Sequence, residues 1–166
     1  MSKEVSFSTE LLRLLEENPL RSPETLAQLL ACEPAAVQEE IARLEKEKVI
    51  LAYKTIVDDE KAQRRTVKAV IEVKVVPERG GGFDRLARRI ARYPEVTSCF
   101  LMSGGYDLLV FLEGSTLQEV ALFVSEKLAT LRGVTSTATH FMLRTYKEQG
   151  VLVGDSVEPE RLPISP

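Results

Sequence analysis

The run Ser103-Gly104-Gly105-Tyr106-Asp107 concentrates more usable chemistry than any other stretch of this chain. A glycine pair lets the backbone reach positive φ and lets another molecule come close, and an aspartate opening the next strand is an acceptor held in place. Such a corner can hold a small polar molecule: a carboxylate accepts from an ammonium, while backbone N–H groups and hydroxyls donate to a carboxylate. The same residues also suit a plain hairpin turn whose aspartate satisfies backbone donors, and the residues alone leave both readings open.

Catalytic chemistry has less support. His140 is the single histidine, between Thr139 and Phe141 on a segment that reads as strand, where a surface or hydrogen-bonded imidazole is the plain reading. Cys32 and Cys99 lie outside any paired ligand spacing and suggest neither a zinc site nor a disulfide framework; both read as small buried side chains. Gly80-Gly81-Gly82 lacks the Lys-Ser/Thr of a phosphate-cradling loop and reads as a turn. Arg85, Arg88, Arg89 and Arg92 share a helix with Leu86 and Ile90 and read as its solvated face, with contact to an anion or a partner as the alternative. No Ser/His/Asp set or metal cluster is present, so no catalytic residue, metal or cofactor is expected.

The elements that must position the glycine turn follow from periodicity. Val67 to Val76 is rich in Val and Ile and reads as strand; Phe83, Leu86, Ala87 and Ile90 mark a helix face that ends at Tyr93-Pro94. Strands are expected over residues 95–101 and 106–112, one on each side of the turn. A helix is expected from Ser115, whose spacing to Gln118 reads as a capping box, with Leu117, Val120, Ala121, Val124 and Leu128 inward; a last strand runs over 134–146. The order β-α-β-β-α-β predicts a ferredoxin-like antiparallel sheet with both helices on one face. Its other face is then left open. Phe100, Val110, Phe111, Leu112, Phe141 and Leu143 are expected to supply more apolar strand surface than two helices cover, which implies self-association through the sheet.

Upstream, Leu11, Leu12, Leu14 and Leu15 make one helical face over Thr9–Glu17, stopped by Asn18-Pro19. Ser22 and Pro23 suit the cap and first position of a second helix with Leu26, Leu29 and Leu30 inward; a third spans Pro34–Lys46 on Val37, Ile41 and Leu44. Residues 49–57 read as strand. Three short helices and then a wing strand match a winged helix-turn-helix, the alternative being a small helical bundle used for dimerisation.

The expected division is therefore α+β: a winged helix-turn-helix over 1–57, a polar linker over 58–66, a ferredoxin-like domain over 67–153 and a tail over 154–166, the chain from about Gly150 reading first as a short strand or loop and then as that tail. At 166 residues two small domains fit well. The composition, 44% hydrophobic and 28% charged, is that of a soluble globular protein. No apolar run reaches the ~18 residues of a membrane span and the start lacks a secretory core, so a cytoplasmic protein with no membrane partner is expected. Charge divides sharply. Residues 1–60 carry seven Lys/Arg against thirteen Asp/Glu, a net of −6, and residues 61–166 carry fifteen against twelve, a net of +3.

This arrangement resembles the Lrp/AsnC family of transcription regulators, the feast/famine proteins, over nearly the whole chain to about residue 153. The likeness rests on Leu44-Glu45-Lys46-Glu47-Lys48-Val49-Ile50, on Val96 through Gly104-Gly105-Tyr106-Asp107-Leu108-Leu109, and on Gly133-Val134-Thr135-Ser136-Thr137-Ala138-Thr139, in that order. The resemblance implies a DNA-binding regulator whose second domain (of the RAM type) dimerises, forms higher homo-oligomers, and binds an amino acid or similar effector between dimers. By position, Gly104, Gly105, Tyr106 and Asp107 would form one wall of that pocket, with Thr135, Ser136 and Thr137 nearby.

The third helix departs from the family pattern. Residues 33–48 hold Glu33, Glu39, Glu40, Glu45 and Glu47 against Arg43, Lys46 and Lys48, a net of −2. Glu33 stands where the family usually has a serine cap, Glu40 where it has an arginine, and Lys48 where it has a glycine. Carboxylates there subtract from the counterion-release term that supplies most non-specific DNA affinity. One reading keeps double-stranded DNA as partner through Ala35, Ala36, Gln38, Arg43 and Lys54, with basic help from Lys3, Arg21, Arg64 and Arg65. Another makes the chain a metabolite-sensing assembly module with weakened DNA binding. Some relatives of the family are sirohaem-type decarboxylases, but those rely on histidine and further basic residues around their substrate, and His140 stands alone here.

Overall fold

The computed structural model describes residues 2–76 and 82–154, with side chains from residue 6. Gly80 and Gly81 of the expected turn, the Lys3 side chain and the tail beyond Gly154 lie outside the described residues. The chain divides into two compact units, Met1–Thr55 and Ile56–Pro166.

The first unit is three helices: α1 (Ser2–Glu17), α2 (Pro23–Leu30) and α3 (Pro34–Lys46). Leu11, Leu14 and Leu15 of α1, Leu26 and Ala27 of α2, and Val37 and Leu44 of α3 form one buried cluster, with Ile41 and Ile50 packed beside it. That burial, not helix propensity, holds elements this short together. Ser22 caps α2, its hydroxyl accepting from the Thr25 amide, and Pro23 takes the first turn; Ala31 at φ 52° ends the helix. The strand expected over 49–57 is not formed. Leu51 is 82% exposed, and among the described residues no segment offers that stretch a ladder, without which extended chain is not a strand.

The second unit is a four-stranded antiparallel sheet: β1 (Val67–Val75), β2 (Val96–Leu101), β3 (Leu108–Gly114) and β4 (Val134–Phe141), in the order β2-β3-β1-β4. Helices α4 (Asp84–Ile90) and α5 (Leu117–Leu122), the latter continued by a π-helical turn Phe123–Leu128, pack on one face. The last strand stops at Phe141, short of the expected 146, and a hairpin of β5 (Lys147–Glu148) and β6 (Val151–Leu152) follows. The capping box sits one residue later than expected: Thr116, not Ser115, caps α5 by accepting from the Glu119 amide, while Glu119 reaches back to the Ser115 amide at 2.6 Å.

Register decides which residues face the helices. Ala69, Ile71, Val73 and Val75 of β1 alternate inward, and the first three pair in register with Leu112, Val110 and Leu108 of β3. Val110 and Leu112, expected on the open face, are therefore core. Phe141 pairs with Ala69 and so belongs to the helix-covered side, at its rim; Leu143 lies beyond β4 and is 96% exposed. The open face carries Phe100, Leu109, Phe111, Val70 and Ala138, crossed by the Glu72–His140 pair at 3.4 Å. Phe100 and Phe111 meet edge to face at 6.0 Å, and Phe100 is 51% exposed.

Candidate functional site

The glycine turn connects β2 to β3 and is held against the end of β1. The Met102 amide donates to the Asp107 carbonyl at 2.8 Å, and the Asp107 amide donates to the Val73 carbonyl at 3.0 Å. The side chain adds a third tie: Asp107 Oδ2 accepts from the Val75 amide at 2.8 Å. This bond falls on the β3 side of β1, two residues past the last β1–β3 pair of Val73 with Leu108, so the carboxylate takes up an amide donor that lies beyond the end of that ladder. Of the two roles open at sequence level, the structural one is met through Oδ2. Asp107 Oδ1 has no such bond among those described.

Thr135, Ser136 and Thr137 flank the same three β1 residues from the other side. Thr137 pairs with Val73 and Ser136 with Lys74, while Thr135 Oγ1 donates to the Lys74 carbonyl at 3.0 Å. Val73 pairs with Leu108 as well, next to Asp107. The two residue groups thus meet at one end of the sheet, around residues 73–75. They do not share one face: Ser136 lies on the open face with Lys74, whereas Thr137 is half-buried on the helix side. Tyr106 is half-buried, and Ser103, Gly104 and Gly105 are exposed.

The glycines differ in what they need. Gly104 sits at φ +143°, where a side chain is strained. Gly105 has no positive φ, and a Cβ placed on it meets nothing within 4 Å. Nothing among the described residues requires a glycine there.

A cleft of about 180 Å³ lies at the opposite end of β1, lined among others by Asp59, Arg64, Lys68, Arg144 and Glu148. Lys68 Nζ is 2.7 Å from Asp59 and 3.9 Å from Glu113, and the Asp59 hydrogen bond holds its ammonium above the ordinary lysine range. The cleft is remote from the glycine turn and contains none of the residues expected to bind an effector. Cys99 packs against the core, where burial pushes its thiol up and away from thiolate chemistry. Among the described residues no group of His, Cys, Asp and Glu is arranged to hold a metal. No helix there is long and apolar enough to cross a membrane.

On α3, Ala35, Ala36, Gln38 and Arg43 are exposed, as is Lys54. Glu33 stands at the cap position without a side-chain hydrogen bond, leaving only its charge near the positive helix end. Each of the three guanidinium nitrogens of Arg43 has a carboxylate partner. Its Nε and Nη2 donate to Glu40 at 2.8 and 2.6 Å, and its Nη1 to Glu47 at 2.6 Å. Glu40 also accepts from Ser8 Oγ of α1 at 2.6 Å, and its side chain is 14% exposed against 47% for Arg43. The Arg43 bonds hold the Glu40 carboxyl below its usual range against a smaller opposing effect of burial, with Ser8 adding to the lowering. The two carboxylates raise the guanidinium, Glu40 most. The spacing of 40, 43 and 47 made the helical part legible as i,i+3 and i,i+4 neighbours, whereas the Ser8 tether joins residues distant in sequence.

A helix-turn-helix unit followed by a ferredoxin-like plait defines a two-part regulator of transcription. The Lrp/AsnC ligand binding domain model matches residues 68–152. The uncharacterized HTH-type transcriptional regulator YugG of Bacillus subtilis (strain 168) is 45% identical over 159 residues, 95% of this chain and 96% of that protein. The leucine-responsive regulatory protein of Haemophilus influenzae is 25% identical over 148 residues, 89% of each. Two solved structures share the fold. These are the transcriptional regulator NMB0573/L-Met complex of Neisseria meningitidis (22% identity, TM-score 0.68, 87% of this chain and 94% of that one) and AsnC of E. coli (14%, 0.66, 88% and 96%). The chain belongs to the Lrp/AsnC family and is a transcriptional regulator with a ligand-binding domain.

Proposed function

We propose that this regulator binds double-stranded DNA through α3, binds an amino acid or similar small effector beside the Gly104–Asp107 turn, and assembles into homo-oligomers through the open sheet face. It works in the cytoplasm and is not an enzyme. In functional terms residues 1–57 read DNA, 58–66 link, 67–153 sense and assemble, and 154–166 form a tail. The observation that carries the effector reading is Gly105: neither its φ nor any neighbour among the described residues calls for a glycine, while a ligand approaching the backbone does. Asp107 supports it, since its carboxylate is fixed by the Val75 amide and keeps Oδ1 for an ammonium. Thr135, Ser136, Thr137 and the half-buried Tyr106 complete the lining. The L-Met held by the NMB0573 relative is a ligand of this chemical class.

The test is binding of generic duplex DNA over a salt series, with and without each amino acid. A regulator of this kind loses affinity steeply as salt rises and responds to at least one amino acid. Gly105→Ala is expected to leave thermal stability within about 0.5 kcal/mol of wild type while blunting the amino-acid response at least tenfold. An undiminished response in that variant removes the turn from the effector site.

A second reading, the assembly module with weakened DNA binding, is favoured by the engagement of Arg43 with Glu40 and Glu47. Oligomers that respond to an amino acid but leave duplex DNA unbound at low salt would establish it.

A further inference from the structure

The recognition helix carries Arg43 and Lys46, with Lys48 just beyond its end, and the exposed Arg43 is given over to internal partners. A guanidinium approaching a phosphate offers a planar fork that two oxygens fill. In α3 the Nε/Nη2 edge of that fork is already taken by the two Glu40 oxygens, and Nη1 lies on Glu47, so three of the five N–H donors are engaged. Glu40 is not a loose surface carboxylate. Ser8 of α1 holds it by a 2.6 Å hydrogen bond, and it is far less exposed than the arginine that it engages. An ordinary exposed i,i+3 pair is weak and yields to a better partner. A carboxylate pinned by a second helix is already in position, so a DNA phosphate competing for the Nε/Nη2 edge of Arg43 gains less, and Glu47 holds the third nitrogen. Glu39 stands exposed beside it and adds like charge toward the backbone of the duplex.

We infer that Glu40 is an internal phosphate mimic that sets this regulator's DNA affinity low by occupying Arg43. This inference rests on the reading that α3 faces DNA. The role it assigns is specific: Glu40 acts through Arg43, in addition to its own repulsion of phosphate, and Ser8 is the positioning residue that keeps it there.

The experiment measures binding of a random-sequence duplex to the full-length protein by fluorescence anisotropy over a salt series. The proteins are wild type, Glu40→Gln, Arg43→Gln and the double variant. The introduced glutamine keeps an oxygen for Ser8 and so preserves the contact to α1, which a thermal melt checks. Expected for Glu40→Gln is affinity higher by about tenfold near 0.1 M salt, with the log–log salt slope steeper by about 1, one additional phosphate contact. Arg43→Gln alone is expected to change affinity less than threefold, and in the double variant most of the gain disappears. The proposal is overturned by a Glu40→Gln protein that binds like wild type, or by a gain of equal size without Arg43, which would reduce Glu40 to bulk charge. If wild type binds and Glu40→Gln adds nothing, only this inference fails. If none of the four binds at the lowest salt, the DNA reading fails and takes the inference with it. Binding that appears only in Glu40→Gln supports the mimic in its strongest form.

Discussion

Under the proposed assembly through the open sheet face, Phe111→Asp is expected to yield monomers at micromolar concentration while leaving the fold intact. Phe111 lies on the uncovered face of the sheet, against Phe100 and next to Val70, and takes no part in the buried cluster under the helices. Aspartate there therefore costs the monomer little. In an assembly it places a carboxylate inside an apolar contact, and interface aromatics of this kind cost about 2 kcal/mol or more when lost. A two-fold axis presents each substitution twice, so association weakens by roughly 10³-fold at ~4 kcal/mol. Sedimentation velocity reads the result directly. A variant that sediments as wild type would remove the open face from the assembly, and an altered thermal melt would show that the ring serves the monomer instead.

The second large effect concerns Asp107. Asp107→Ala is expected to destabilise the second unit by about 1–3 kcal/mol, because the Val75 amide loses its acceptor beyond the point where the β1–β3 ladder ends and cannot supply another. For a unit of this size that corresponds to a melting shift of roughly 5–15 °C. Asp107→Asn keeps a carbonyl oxygen for Val75 and should recover most of that loss. It does not restore a negative charge. If the carboxylate also meets an effector ammonium, the asparagine variant is folded yet insensitive to amino acids, which separates the two roles that one residue combines. A stable, fully responsive Asp107→Ala protein would contradict both.

Most of the fold was legible before any coordinates. The Ser22-Pro23 start of α2, the Pro34–Lys46 helix and the alternating β1 are signalled by caps, proline positions and periodicity, all set by residues within a few places of one another. The failures are equally instructive. Residues 49–57 have strand composition and form no strand, since composition supplies the side chains of a ladder but not its partner. Val110 and Leu112 were placed on the wrong side of the sheet because a β-strand's two faces differ by a single residue of phase, and a run of consecutive apolar residues over 108–112 does not reveal that phase. The shift of the α5 cap from Ser115 to Thr116 is the same kind of error: two adjacent hydroxyl residues both satisfy the pattern.

The candidate site divides along the same line. The glycine pair, the aspartate and the hydroxyl-bearing strand were visible as residue types, as was the surplus of carboxylates on α3. What they do to one another was not. That Asp107 holds Val75, that Thr135 and Asp107 flank one bulge, and that Ser8 pins Glu40 onto Arg43 each join residues about thirty or more positions apart or depend on a register shift. Sequence alone determined the three N-terminal helices, the core strands of the sheet and the inventory of charge, because these follow from local periodicity and from residue type. Only the folded chain decided which donor each carboxylate engages, because a hydrogen bond acts over about 3 Å and its partners are chosen by packing.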